Sequence, residues 1–214
     1  MNFQDTQLIG VLARAESTVS SLSDLLGGLV EKFAARGYSL YLVGGSVRDA
    51  LLGRLGNDLD FTTPARPDVV KEILDEWAET VWDTGIDFGT VSAAYKGQQI
   101  EITTFRSDSY DGQSRNPEVV YGDTLEGDLV RRDFKVNAMA IELLADASFT
   151  FHDPLHGLQD VADRVLDTPD KPEISFHDDP LRMLRAARFA SQLEFRVADR
   201  VVDAMRDMAG EIQR

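Results

Sequence analysis

Apolar residues recur at three- and four-residue steps from Leu8 through Val11, Leu12, Ala15, Val19, Leu22, Leu25, Leu26, Leu29 and Val30 to Phe33, and they stop before Gly37. That period predicts one or two amphipathic helices over 8–36. The pattern then shortens. "YSLYLVGG" reads as a buried strand, "SVRDALLG" as a helix capped by Ser46 and stopped at Gly53, and "DLDFTT" as a second strand with alternating faces. A helix follows from Pro67 to about Glu79. "TVSAAYKG" and "QQIEITTFRS" alternate apolar and polar residues on either side of Lys96–Gly97–Gln98, which predicts a hairpin. The polar stretch "SDSYDGQSRNPE" interrupts the order and reads as a mobile loop. Order returns at "LVRRDFKVNAMAIEL", and "FTFHDPLHGLQDVADRVL" reads as a short strand, a turn and a helix. After Pro180 the chain is mostly helical to its end, and no repeat or low-complexity tract interrupts it.

Composition narrows what such a chain can do. With 214 residues it can form one domain with an appended element, or two small ones. Its net charge of −15, from 22 basic and 37 acidic side chains, repels polyanions on average and excludes a non-specific nucleic-acid coat. Any RNA or nucleotide must therefore meet a local basic patch. The absence of cysteine removes disulfides and thiolate metal sites, and His152, His156 and His177 are too scattered for a zinc cage. A reducing cytoplasm fits this usage. No stretch approaches the ~18 apolar residues of a membrane span, so a soluble protein without a membrane partner is expected.

The chemistry concentrates between Tyr41 and Phe61. A strand, a tight glycine turn at Gly44–Gly45 and a helix N-terminus make a phosphate cradle, because glycine lets backbone N–H groups approach an anion and the helix end is partly positive. Asp58 and Asp60 stand at i and i+2 on a strand, so both carboxylates project from one face while Leu59 and Phe61 face the core. Hard oxygen ligands of this kind suit Mg²⁺, which takes one or two carboxylates together with substrate phosphates. Taken alone, a D-x-D pair is commonly a turn and a solvated strand residue; the upstream glycine pair shifts the reading toward metal chemistry.

These residues carry a resemblance. "VGG" followed by "DLDF" resembles the signature of the polymerase-β-like nucleotidyltransferase superfamily. The fuller "LVGGSVRDALLG…NDLDF", with "DLVRRDFKVNAMAIEL" at 128–143 and "DDPLRMLRAARFASQLEF" at 178–195, resembles one branch: the class II CCA-adding tRNA nucleotidyltransferases and bacterial poly(A) polymerases. The resemblance implies that Asp58 and Asp60 hold two Mg²⁺ ions, with Glu101 of "IEITTFR" as the best third carboxylate, although a plain strand glutamate is an equal reading. It implies that Gly44, Gly45, Ser46 and Arg48 contact the triphosphate, that Asp49 is structural, and that Arg132 lies near the phosphates with Asp133 and Asn137 near the sugar. Arg131 reads as a surface charge, and Lys135–Val136 departs mildly from the family's usual pair.

Base choice falls to the third motif. Asp179 and Arg182, at i and i+3 on a helix starting at Pro180, can converge on one planar ligand. A carboxylate accepts from the exocyclic amino group of cytosine or adenine and a guanidinium donates to the adjacent ring nitrogen, which rejects uracil and guanine. The competing reading is an ordinary capped helix start. Arg182, Arg185 and Arg188 form a basic stripe expected to bind the nucleotide, with Met183, Leu184, Ala187 and Ala190 mostly opposite. Arg106, Asp108, Tyr110, Arg115 and Pro117 match the family's flexible loop. Asp153, Gly157 and Asp160 match a hinge element, in which His152 and His156 read as turn residues.

The implied fold class is α/β: a nucleotidyltransferase head over 1–165, with a mixed, mainly antiparallel sheet flanked by helices, then an all-helical neck over 166–214. The helical pattern runs to Gln213–Arg214, which suggests truncation within a longer helical body. The implied reaction is template-independent addition of CMP and AMP from CTP and ATP to the 3′ end of tRNA, with no DNA partner. Poly(A), A-only or CC-only addition by the same family stands as the alternative, beside a non-catalytic nucleotide-binding module and a small-substrate nucleotidyltransferase.

Overall fold

A computed structural model describes residues 3–109 and 118–213. The long apolar period forms a single helix, α1 (Phe3–Ala35), whose buried stripe includes Val11, Val19, Leu26 and Phe33. Strand β1 (Leu40–Val43) runs straight into α2 (Gly44–Leu51), which leads to β2 (Asp58–Thr63), α3 (Pro67–Asp75) and β3 (Thr80–Trp82). Strands β4 (Thr90–Tyr95) and β5 (Gln98–Thr104) close a hairpin through Lys96 and Gly97 alone, both at positive φ (47° and 79°), with Gln98 already in the strand.

Two further strands, β6 (Arg106–Ser109) and β7 (Glu118–Tyr121), pair antiparallel across the two ends of the stretch expected to be a loop. Tyr110, Arg115 and Pro117 lie outside the described residues, as does the side chain of Asp108. Then come α4 (Leu125–Val130), a 3₁₀ turn at Lys135–Asn137, β8 (Ala140–Leu143), β9 (Phe149–His152) and α5 (Gly157–Asp163).

Seven strands make the main sheet in the order β3-β4-β5-β2-β1-β8-β9, antiparallel throughout except where β2 and β5 run parallel. The mixed, mainly antiparallel sheet is therefore as expected. One face buries Leu42, Leu59, Phe61, Ile100 and Ile102 beneath α1, α2 and α3. On the other face Val43, Phe105 and Ala140 pack with Leu125 and Leu129 of α4, and the rest stays open beside the aspartates.

The C-terminal part is not purely helical. Strand β10 (Val165–Leu166), ahead of α6 (Pro172–Asp178), pairs in parallel with β11 (Arg196–Val197), which lies between α7 (Leu181–Leu193) and α8 (Asp199–Asp207). Two-residue strands leave no alternation to read in a sequence. Ala186, Phe189, Leu193 and Phe195 join the same core cluster as the sheet, while Phe176, Met183, Val201 and Ala204 form a small cluster of their own. Among the described residues, no helix is long and apolar enough to cross a membrane.

Candidate active site

The glycine turn after β1 is required twice over. Gly44 has φ +67°, and a Cβ there would sit 2.9 Å from Nη1 of Arg132. Ser46 does not cap α2, whose N-cap is Val43. Its hydroxyl instead accepts from the Asp60 backbone N–H at 2.9 Å and donates to the Asp58 carbonyl at 3.4 Å, fastening the helix to β2. A side chain at the third helical position is free to bond across to a strand when the strand runs alongside.

Asp58 and Asp60 project from the open face of β2, and the parallel register sets Glu101 directly beside Asp60. Asp60 is exposed to solvent at the cavity, but protein groups crowd close around its carboxyl. That enclosure raises its pKa above the usual carboxylate range, helped by the charges of Glu101 and Asp58 and opposed by Arg132 and Arg48. Crowded carboxylates of this kind favour a cation. Even so, among the described residues no group of three or more His, Cys, Asp or Glu side chains is arranged to hold a metal unaided. Two neighbouring aspartates fit an ion whose remaining ligands are water and substrate phosphate oxygens.

Arg131 is no surface charge. The carboxylate of Asp128, fully buried on α4, accepts from Nε and Nη2 of Arg131 at 3.2 and 3.0 Å and from Nη2 of Arg132 at 3.0 Å. Burial alone would raise the Asp128 pKa, but the charges and hydrogen bonds of Arg132 and Arg131 outweigh it and hold the carboxyl below its ordinary range. Asp128 thus aims two guanidinium groups at the space beside Asp60. Its i, i+3, i+4 spacing in "DLVRR" was the available signal.

A chain of hydrogen bonds joins the sites assigned to phosphate, sugar and base. Arg48, buried, donates from Nη1 to Asn137 Oδ1 at 2.6 Å; Asn137 Nδ2 donates to Asp133 Oδ1 at 2.9 Å; Arg185 Nε donates to Asp133 Oδ2 at 2.8 Å. The ring of Phe189 lies beside this chain, 5.3, 5.2 and 4.8 Å from the guanidinium carbons of Arg48, Arg185 and Arg188. Sequence reasoning missed Phe189, whose only signal is its position four residues after Arg185. Asp49 pairs with Arg48 and Arg54, the structural role expected of it.

Asp179 and Arg182 line the same cavity but have other partners. Asp179 Oδ1 caps the Leu181 N–H at 3.0 Å. Arg182, buried, donates to Ser175 Oγ and to the Arg131 carbonyl, both at 2.8 Å. The arginine stripe does not lie opposite the apolar residues. Leu184 is 51% exposed while Met183, Ala186 and Phe189 are buried beside Arg182, because two acceptors and a cavity let a guanidinium occupy the inner side of α7.

In the predicted hinge, Asp153 accepts from the N–H groups of Gly157 and Leu158 at 2.7 and 3.0 Å, and His156 precedes α5 at φ 60°. His152 ends β9, 3.4 Å from Glu142. Lys135 is held by Asp167 at 2.8 Å.

The main cavity, about 510 Å³, runs from Gly44, Gly45 and Arg132 past Asp60 and Asn137 to Asp179 and Arg182. The family model for the poly(A) polymerase head domain matches residues 40–167, the stretch that supplies the glycine turn, all three carboxylates and the Arg131–Asn137 segment. The chain belongs to the poly(A) polymerase head-domain family. Among curated members similar to this head-domain chain is the CCA-adding enzyme of Lactobacillus helveticus, 42% identical over 172 residues, covering 80% of this chain and 41% of the relative. That of Listeria monocytogenes is 39% identical over 186 residues, covering 86% and 45%. The head-domain chain thus spans less than half the length of these relatives. Among solved structures it resembles the Bacillus stearothermophilus CCA-adding enzyme in complex with CTP, at TM-score 0.70 and 36% identity over 86% of this chain and 42% of that one. It also resembles a tRNA nucleotidyltransferase complexed with a primer tRNA and an incoming ATP analog, at TM-score 0.72 and 31% identity over 85% and 50%.

Proposed function

We propose that this chain carries the nucleotidyl-transfer centre of a CCA-adding enzyme, moving CMP and AMP from CTP and ATP to the 3′ end of tRNA. The observation that carries the reading is the single cavity joining a glycine turn, Asp60 and the Asp179–Arg182 helix start, about 510 Å³ in volume and so of nucleotide size. In this reading residues 1–165 form the head that handles phosphates, and 166–214 form the neck that reads the base. A cytoplasmic setting accords with the absence of cysteine.

The backbone at Gly44–Gly45, with Ser46, Arg48 and Arg132, receives the triphosphate, and Asp133 and Asn137 face the ribose. The 3′-oxygen of the RNA attacks the α-phosphorus and loses its proton, a new P–O bond forms, and the bond to the bridging oxygen breaks to release pyrophosphate. Two Mg²⁺ ions held by Asp58, Asp60 and substrate phosphates, with Glu101 adjoining, would acidify the attacking hydroxyl and offset the leaving charge. Asp179 accepts from the amino group of cytosine or adenine while Arg182 donates to the ring nitrogen, and Arg185 and Arg188 steady this end of the pocket through Phe189.

Incubation with each labelled nucleoside triphosphate and tRNA lacking its CCA end tests the proposal. Incorporation of CMP followed by AMP is expected, and Arg182→Ala should lose about tenfold or more of the preference over UTP and GTP. Homopolymeric AMP addition would assign the chain to poly(A) synthesis instead.

A further inference from the structure

Asp60 faces substrate-sized space on two sides. Besides the main cavity it borders a second, of about 220 Å³, which shares Arg106, Arg131 and Arg132 but is lined by Glu101 and Thr103 in place of the glycine turn and α7. In phosphoryl transfer the attacking and leaving oxygens lie roughly in line, so a nucleophile meets the α-phosphorus from the side opposite the pyrophosphate. With the triphosphate in the main cavity, the acceptor end belongs in the second.

Among the residues lining this second space Thr103 is the one uncharged polar side chain. Thr103 lies two residues beyond Glu101 on the same face of β5, and the antiparallel register sets Thr90 of β4 directly across from it. Their hydroxyl oxygens are 2.9 Å apart, and both residues are half-buried. The reverse face of these strands carries Val91, Ala93, Ile100 and Ile102, all buried. Arg106, Arg131 and Arg132 line the same space and suit the acceptor's phosphates, which leaves the Thr103 hydroxyl, backed by Thr90, for an uncharged polar group of the ligand.

Resting on the function proposed above, we infer that the Thr90–Thr103 pair recognises the 2′-hydroxyl of the acceptor's terminal ribose, which makes Thr103 a residue that selects RNA ends over DNA ends. Within the pair one hydroxyl donates to the other, leaving one free proton and free lone pairs. A 2′-hydroxyl is both donor and acceptor and satisfies both, whereas a 2′-hydrogen satisfies neither. A lysine here would hold any phosphate backbone without reading its sugar, and a further carboxylate would repel it.

The test uses tRNA acceptors lacking CCA whose last nucleotide is either ribose or 2′-deoxyribose. Wild type should favour the ribose end by about five- to tenfold in kcat/KM, the effect of one hydrogen bond. Thr103→Val, close in shape and equally suited to a strand, should bring that ratio near one with KM for CTP unchanged, and Thr103→Ser should restore it. A Thr103→Val ratio equal to that of wild type, or a wild type blind to the terminal sugar, overturns the inference while leaving the transfer function standing. Absence of transfer onto either end overturns that function and this inference with it.

Discussion

At the scale of single residues, Asp60 is held in a form that costs the fold something. Its neighbours and its enclosure raise its pKa, so the folded state binds the proton more tightly than the unfolded chain does. Stability from this group is therefore lost, not gained, as pH rises and the carboxyl ionises. Asp60→Asn removes the charge at nearly constant size. At pH 7.5 its melting temperature should equal or exceed that of wild type, while single-turnover transfer falls by about a thousandfold or more. A variant that melts earlier and still transfers would make Asp60 a structural residue. Arg48 and Arg132 work on the same balance from the other side, since both lower the Asp60 pKa.

At the scale of elements, the site depends on how α5 seats against the 3₁₀ turn Lys135–Asn137. A Cβ on Gly157 would collide with the Lys135 backbone carbonyl and come within 3.0 Å of Met139 Cγ, so only glycine permits this approach. The turn delivers Asn137, which accepts from Arg48 and donates to Asp133. Gly157→Ala should therefore lower stability by about 1–3 kcal/mol, read from the urea midpoint, as overpacking against backbone does. It should also raise KM for CTP, though Gly157 touches no part of the cavity. A stability loss without a change in KM would separate the seating of α5 from the position of Asn137.

Across the whole molecule, acidity sets the pH response. Asp160 on α5 has its pKa pushed up to about 6 by burial first, with Asp167, Asp163 and Asp153 adding and Lys135 opposing. Its Oδ2 is buried without a hydrogen-bond partner. Below pH ~4 both folded and unfolded chains hold this proton. Between there and about 6 the folded chain alone keeps it, so stability falls as pH rises through that window and stays lower above it. Asp160→Asn should flatten that decline and gain about 1 kcal/mol at pH 7, solvent screening of the half-buried carboxyl keeping the gain small, measured by thermal melts from pH 4 to 8.

Periodicity determined much of this molecule before any contact was known. The three- and four-residue steps define the buried stripe of α1, the alternation in "DLDFTT" puts Asp58 and Asp60 on one face, and Lys96–Gly97 marks a hairpin that the backbone bears out with two positive φ angles. These features depend on one element and its solvent, so local sequence suffices. What polar groups pair with depends instead on which elements cross. Ser46 reaches a strand rather than its own helix end, and Arg182 finds the carbonyl of Arg131 across 51 residues. Arg131 and Arg132 converge on buried Asp128, and Phe189 gathers three guanidinium groups. The β10–β11 pair is likewise invisible in two-residue runs. Only the tertiary structure decides such pairings, because a desolvated charge must find a partner wherever the packed chain supplies one.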